Sequence, residues 1–198
     1  MLALRLETLD EAKVILAFHV VGTVMELFKT RLGSWLYPEA NLLRIGGVPL
    51  FSGFMYAAVG SYLARVWRIF DFRFSQYPSQ PLTWLLGAAI YVNFFAHHWL
   101  PDIRLPLFAL MGLLFWRTRV WFRVWREDRW MPLVVGFLLV SLFIWFAENI
   151  STFSRAWIYP SQKSGWALVS PSKLGAWYLL MYISFVLVAA VHRPREKA

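Results

Sequence analysis

The chain has no cysteine among its 198 residues, which excludes disulfides, thiolate catalysis and cysteine-ligated zinc or iron–sulfur clusters. Acidic residues are scarce too, 11 against 20 lysines and arginines. No phosphate loop, GxSxG elbow or dinucleotide fingerprint occurs. The histidines include no i, i+3 or i, i+4 pair, so the adjacent His97 and His98 do not form a metalloprotease signature. A cleavable leader is not expected either. The polar opening from Leu2 to Lys13 carries three acids and runs straight into a long helix, without a small-residue cleavage pattern.

Apolar surface is what the chain has in excess. It is 59% hydrophobic and 19% aromatic, with a mean hydropathy of +0.51, more than a soluble domain of this size can hide. Apolar stretches at Ala12 to Leu32, Val48 to Ala64, Leu82 to Leu100, Leu105 to Trp116, Trp130 to Ala147 and Leu174 to Val191 predict six transmembrane helices. The expected fold class is therefore an all-α polytopic membrane helical bundle, one transmembrane domain over residues 1–198. The fourth helix reaches spanning length only if it runs from Ile103 to Val124, with Arg117 and Arg119 snorkelling into the headgroups. Most lysines and arginines fall in the N-terminus, the second and fourth connections and the C-terminus, which predicts a multi-pass protein with both termini cytoplasmic. The basic run from Arg117 to Arg129 then reads as a contact with anionic membrane lipids, and no nucleic-acid partner is expected.

The chain also repeats itself at a constant offset of 122 residues. Glu26, Thr30, Trp35, Tyr37, Pro38, Pro49, Gly53 and Tyr56 recur as Glu148, Thr152, Trp157, Tyr159, Pro160, Pro171, Gly175 and Tyr178. Helices 1 and 2 thus match helices 5 and 6, giving repeat halves at about 12–70 and 130–193 with helices 3 and 4 at about 80–125. Repeats separated by an even number of helices enter the membrane in the same sense, a parallel pseudo-twofold. The counterpart of helix 3 would fall ahead of Met1, so either the relatives are longer or this chain starts late.

The repeat contains the two carboxylates that lie inside apolar helices. His19, Thr23, Glu26 and Thr30 form one helical stripe, matched by Ser141, Trp145, Glu148 and Thr152. A membrane-depth carboxylate costs a few kcal/mol on insertion scales and is expected to face the protein interior, functional or paired. The plainer alternative makes each glutamate an interfacial cap on Thr30, Thr152, Arg31 or Arg155. Two further polar groups, Asn93 and His97, share a face of helix 3 and are expected at the same site, while His98 is expected to reach Asp102. Imidazoles and carboxylates together could also form a metal site, but the spacing does not specify one. The paired Trp-x-Tyr-Pro connections supply Trp35, Tyr37, Trp157 and Tyr159, and helices 2 and 6 add Tyr56 and Tyr178, as aromatic groups to bind a substrate or form an interfacial belt.

The stretches from Glu26 to Glu39, Arg44 to Tyr56, Asn93 to His98 and Phe146 to Ile150 resemble the YoaT-like family of bacterial integral membrane proteins, over nearly the whole chain. The resemblance implies a bacterial inner (cell) membrane location and says little of function, since the family is uncharacterised. A second pattern, a membrane glutamate followed by Gly33, Tyr37 and Gly47-Val48-Pro49 with Glu148 repeated, is similar to the membrane-embedded lycopene cyclases and carotenoid hydratases. That similarity implies proton addition to polyenes.

These features point to an inner-membrane protein with an outer-leaflet polar pocket. It is expected to bind, and to be able to protonate, a lipophilic isoprenoid or lipid substrate, with Glu26, Glu148, His97 and Asn93 as the catalytic groups. Two other classes stay open: a proton- or cation-coupled transporter or channel, and a non-catalytic membrane scaffold. Membrane lipids are the expected partners, an oligomer is left open, and no cofactor is specified.

Overall fold

Thr8 and Glu11 start the first helix by a reciprocal capping box, the Thr8 hydroxyl accepting the Glu11 N–H and the Glu11 carboxylate accepting the Thr8 N–H. The computed structural model describes residues 7–40 and 42–197; Leu2 to Leu6 of the polar opening lie outside the described residues. α1 (Leu9–Arg31) leads to a hairpin, β1 (Arg44–Ile45) and β2 (Val48–Pro49). Its turn needs positive φ at two successive positions, and Gly46 and Gly47 supply 57° and 85°. α2 (Phe51–Ile69), β3 (Arg73–Ser75), α3 (Gln80–Ala96) and α4 (Arg104–Phe115) follow, then the strands β4 (Arg119–Val124) and β5 (Glu127–Pro132). α5 (Leu133–Phe153), α6 (Ser172–His192) and β6 (Arg195–Glu196) complete the chain.

The architecture is mixed α/β, which overturns the expected all-α bundle of six membrane spans. Among the described residues only α5 and α6 are long and apolar enough to cross a membrane, and that pair points to membrane association. α1 carries Glu26, Lys29 and Arg31 toward one end and Asp10, Glu11 and Lys13 toward the other, α2 carries Arg65 and Arg68, α3 has 17 residues and α4 has 12. The fourth helix does not extend to Val124. Arg119 to Val124, rich in aromatic and β-branched residues, instead forms a strand. It pairs antiparallel with β5 and with β3, and β3 pairs parallel with β6, giving a four-stranded sheet in the order β5-β4-β3-β6.

This sheet closes one end of the helix group. β5 runs directly into α5, and α6 runs out into β6, so both long apolar helices abut it. Beneath it lies an aromatic core in which Trp67, Phe74, Phe115, Phe137, Tyr182 and Phe185 are all buried. α1 starts at this same end, where Glu11 is paired with Arg68 of α2 at 3.0 Å. α1 and α2 then approach closely along Gly22, Gly53 and Gly60. A Cβ on Gly22 would lie 2.5 Å from the Tyr56 ring, and one on Gly60 would lie 2.7 Å from the Phe18 ring.

Candidate functional site

The far ends of α1 and α5 are built alike. After α1, Gly33 adopts φ 68°, its N–H donates to the Thr30 carbonyl at 3.0 Å, and the Ser34 N–H reaches back to the Lys29 carbonyl at 2.9 Å. After α5, Arg155 adopts φ 61°, donating to Thr152 at 3.1 Å, and Ala156 donates to Ser151 at 3.0 Å. Both are Schellman ends, which turn the chain back along the helix it has just left. The returning segments meet each other. Leu36 and Ile158, the variable residues of the two Trp-x-Tyr-Pro motifs, exchange both backbone hydrogen bonds at 2.9 Å.

This return brings each motif over its own glutamate. Glu26 is 3% exposed and accepts three hydrogen bonds: from Trp35 Nε1 at 2.9 Å, Tyr37 Oη at 2.6 Å and Tyr56 Oη at 2.8 Å. Glu148, also 3% exposed, accepts a short bond from Tyr159 Oη and a second from Trp177 Nε1 at 2.8 Å. Neither carboxylate is ion-paired among the described residues. Phenol and indole donors therefore compensate for the water each carboxylate has lost. The phenols respond in turn. Burial, then the adjacent Glu26 carboxylate, pushes the Tyr37 hydroxyl far above its ordinary pKa. Burial and Glu148 do the same to Tyr159, with Glu26 and Tyr37 adding to the effect, so the two halves share one electrostatic environment.

Both carboxylates line a cavity of about 320 Å³ between α1, α2, α5 and α6. Its walls are mostly apolar, with Phe18, Met25, Val59, Ile144, Met181 and Leu187 among them, and its polar end holds Trp35, Tyr37, Tyr56, Trp157, Tyr159 and Trp177. Such a site can take up an apolar molecule and exchange a proton with it, or hold a single hydroxyl or cationic group against the carboxylates.

A family described as "Protein of unknown function (DUF817)" matches residues 1–185. The chain belongs to the DUF817 family. A relative from Bacillus subtilis (strain 168), "Uncharacterized protein YoaT", is 47% identical over 193 residues, covering 98% of this chain and 73% of that protein. A crystal structure of a cross-linked MvINS trimer superposes with a TM-score of 0.64 at 13% identity, over 96% of this chain and 99% of that one. At that identity the likeness is one of fold alone. The motifs that resembled the YoaT-like family thus lead to the right family, and neither DUF817 nor YoaT carries an activity in its description.

In this DUF817 chain not all the expected site residues converge. Glu26, Glu148, Trp35, Tyr37, Tyr56, Trp157 and Tyr159 lie on the cavity; Asn93, His97 and Tyr178 do not. Asn93 closes the α3–α4 connection instead, its side-chain NH2 donating to Asp102 Oδ1 and its side-chain Oδ1 accepting the Ile103 N–H, both at 3.2 Å. His97 bonds back to the Asn93 carbonyl through Nδ1 at 3.0 Å and stacks on His98 at 4.2 Å between centroids. Nor does His98 reach Asp102. Its Nε2 accepts from Lys29 Nζ at 2.8 Å, an ammonium that also lies 4.2 Å from the centre of the Phe94 ring. Among the described residues no three histidine or carboxylate side chains come together as a metal site.

Tyr178, the counterpart of Tyr56, donates to the Val134 carbonyl at 3.3 Å, and its neighbour Trp177 takes the place on Glu148. One residue along a helix is a rotation of about 100°, so the repeat conserves the donor while moving it to the adjacent position. Trp177 was missed because the offset points to residue 178. The alternative of helix-end caps on Thr30 or Thr152 also fails for both glutamates, whose partners come from the connections and from the following helices.

Proposed function

We propose that this membrane-associated protein binds a lipophilic isoprenoid-like or lipid substrate in the cavity and moves a proton on and off it with Glu26 and Glu148. One observation carries the reading: two buried carboxylates, neither in an ion pair among the described residues, line a mostly apolar cavity, with Lys173, 4.4 Å over the Tyr159 ring, acting on Glu148 through space rather than by direct contact. Burying a carboxylate costs several kcal/mol when its hydrogen bonds are incomplete. An apolar wall would make a more economical scaffold. The lining toward the sheet, Phe18, Val59 and Leu187, is apolar, which favours a closed pocket over a proton path through the protein.

Glu26, already accepting three bonds, serves as the carboxylate, and Glu148, accepting two, as the proton carrier. The Glu148 O–H gives its proton to one carbon of a double bond. The π pair forms the new C–H bond, leaving a cation on the neighbouring carbon beside the aromatic rings and Glu26. Glu26 then removes a proton from an adjacent carbon, and that C–H pair closes a new double bond. The net change is double-bond isomerisation, or ring closure where a second double bond of the substrate first gives its π pair to the cation to form the C–C bond. The proton taken up by Glu26 must then return to Glu148 before the next turnover. The similarity of Glu26, Gly33, Tyr37, Gly47, Val48, Pro49 and Glu148 to lycopene cyclases and carotenoid hydratases supports the same chemistry.

In the proposed orientation α5 and α6 cross the bacterial inner membrane with the basic sheet, and both chain ends, on the cytoplasmic side. The outward-facing Leu139, Phe143, Phe146 and Ile150 of α5 suit contact with lipid. Membranes containing the full chain, incubated in deuterated water, provide the test. Mass spectrometry of extracted isoprenoids should show carbon-bound deuterium that Glu148→Gln abolishes. Equal labelling with and without the protein would sink the proton transfer. If cavity-filling Ser184→Trp also leaves the set of copurifying lipids unchanged, the pocket falls with it.

A further inference from the structure

A second concavity, of about 710 Å³, lies on the opposite end of the molecule, against the four-stranded sheet. Arg117, Arg119 and Lys197 line it together with Trp116, Trp121 and Trp130. Each cation rests on an indole: Arg117 on Trp116 at 4.5 Å, Arg119 on Trp130 at 4.1 Å and Lys197 on Trp121 at 4.6 Å. Their charges are balanced very differently. Lys197 bonds to Asp128 at 2.7 Å, and the same carboxylate takes Arg73 at 2.8 Å and Arg123 at 3.1 Å. Asp128 is thus fully engaged, its carboxyl held well below the usual range first by Lys197 and then by Arg123. Arg117 and Arg119 have no carboxylate partner among the described residues. Two guanidiniums held on aromatic planes, with their forks free, are built for an anion that accepts bidentate hydrogen bonds.

The position of the cleft selects the kind of anion. Thr118, inside it, accepts the N–H of Leu133, the first residue of α5, and Pro132, also in its lining, is the residue just before. The cleft therefore sits where a long apolar helix emerges, flanked by three tryptophans. That is the level of the headgroups, where tryptophan is enriched and arginine meets lipid phosphate. We propose that this cleft binds the phosphate of an anionic membrane lipid through Arg117 and Arg119. The inference rests on the proposed crossing of the membrane by α5 and α6, and makes no use of the glutamate cavity.

The full chain, purified in a neutral detergent, can be titrated with dihexanoyl phosphatidylglycerol, dihexanoyl phosphatidylcholine and inorganic phosphate while its Tm is followed. Phosphatidylglycerol should raise Tm saturably, with the other two far weaker. Arg117→Gln and Arg119→Gln should each weaken the apparent affinity about fivefold, and the double variant should bind about as weakly as phosphatidylcholine does. Arg129→Gln lies outside the cleft, with Glu127 as its own partner at 2.9 Å, and should leave the affinity unchanged. Equal shifts with inorganic phosphate would make this a free-anion site, and equal shifts with phosphatidylcholine would remove charge recognition; either overturns the proposal. So would full affinity in the double variant. The Tm of each variant without lipid reports folding separately, and cavity occupancy, read by copurifying lipid, succeeds or fails independently.

Discussion

Each buried glutamate is held by donors whose removal differs in cost. Tyr56→Phe deletes a bond to a buried carboxylate, and bonds to charged groups contribute about 1.5–3 kcal/mol. Tyr178→Phe deletes only a 3.3 Å bond to a carbonyl and should cost about 1 kcal/mol or less. Thermal melts of the two variants should therefore separate, although the tyrosines occupy the same position in the repeat. Equal losses would mean that Tyr178 matters as much as its counterpart. Asp102 offers a test in pH. The Arg104 guanidinium, then the Asn93 amide and the Arg104 N–H, lower its pKa from an ordinary value near 3.8 to about 2. A depressed carboxylate stabilises the fold fully above its unfolded pKa and loses that contribution as pH falls through the folded one, here between about pH 4 and pH 2. Asp102→Asn should thus lower Tm at pH 6 and converge on the wild type near pH 2.

At the scale of elements, the close crossing of α1 over α2 and the paired helix ends have opposite sensitivities. Gly22→Ala drives a Cβ to 2.5 Å from the Tyr56 ring and should destabilise by about 1–3 kcal/mol. Gly112→Ala, on the exposed side of α4 with no atom within 4 Å, should stabilise by about 0.5–1 kcal/mol by favouring the helix. Chemical denaturation distinguishes the two signs. The Schellman ends supply a second pair. Arg155 holds the left-handed conformation that glycine occupies at the equivalent position 33, so Arg155→Gly should stabilise by about 1 kcal/mol, whereas Gly33→Ala should destabilise by a similar amount.

For the whole molecule, orientation is the decisive measurement. The sheet end collects the unpaired arginines of the second cleft, while the Trp-x-Tyr-Pro connections, with Lys163 and Ser164 beyond, lie at the far ends of α1 and α5. With no native cysteine to interfere, an impermeant thiol reagent should label Ser164→Cys in intact spheroplasts. It should reach Arg126→Cys, in the β4–β5 turn, only after permeabilisation. The reverse pattern would invert the proposed orientation, and labelling of both sites without permeabilisation would end the reading of α5 and α6 as spans.

Local features were legible in the residues. Apolar stretches bounded by Gly, Pro and basic clusters located the six helices, and the doubled Glu with Trp-x-Tyr-Pro named six of the groups around the cavity, with the repeated helix tyrosine adding Tyr56. Those are signals of short range, carried by helix periodicity and by the turn that follows a helix. Hydropathy alone overestimated the number of spans, because α1 and α2 carry charged residues within their apolar runs and α3 and α4, with 17 and 12 residues, are too short to cross. Only the tertiary structure decided the sheet. β4 resembles the end of a helix until it meets Arg73–Ser75, and β3 has an edge for Arg195–Glu196 only once α6 has returned to the starting end. The tertiary structure likewise turned Trp177 rather than Tyr178 toward Glu148, and spent Asn93 and His97 on closing a connection. A repeat preserves spacing along the chain, but which side chain reaches a site depends on the rotation of its helix, and neighbouring residues differ there by about 100°.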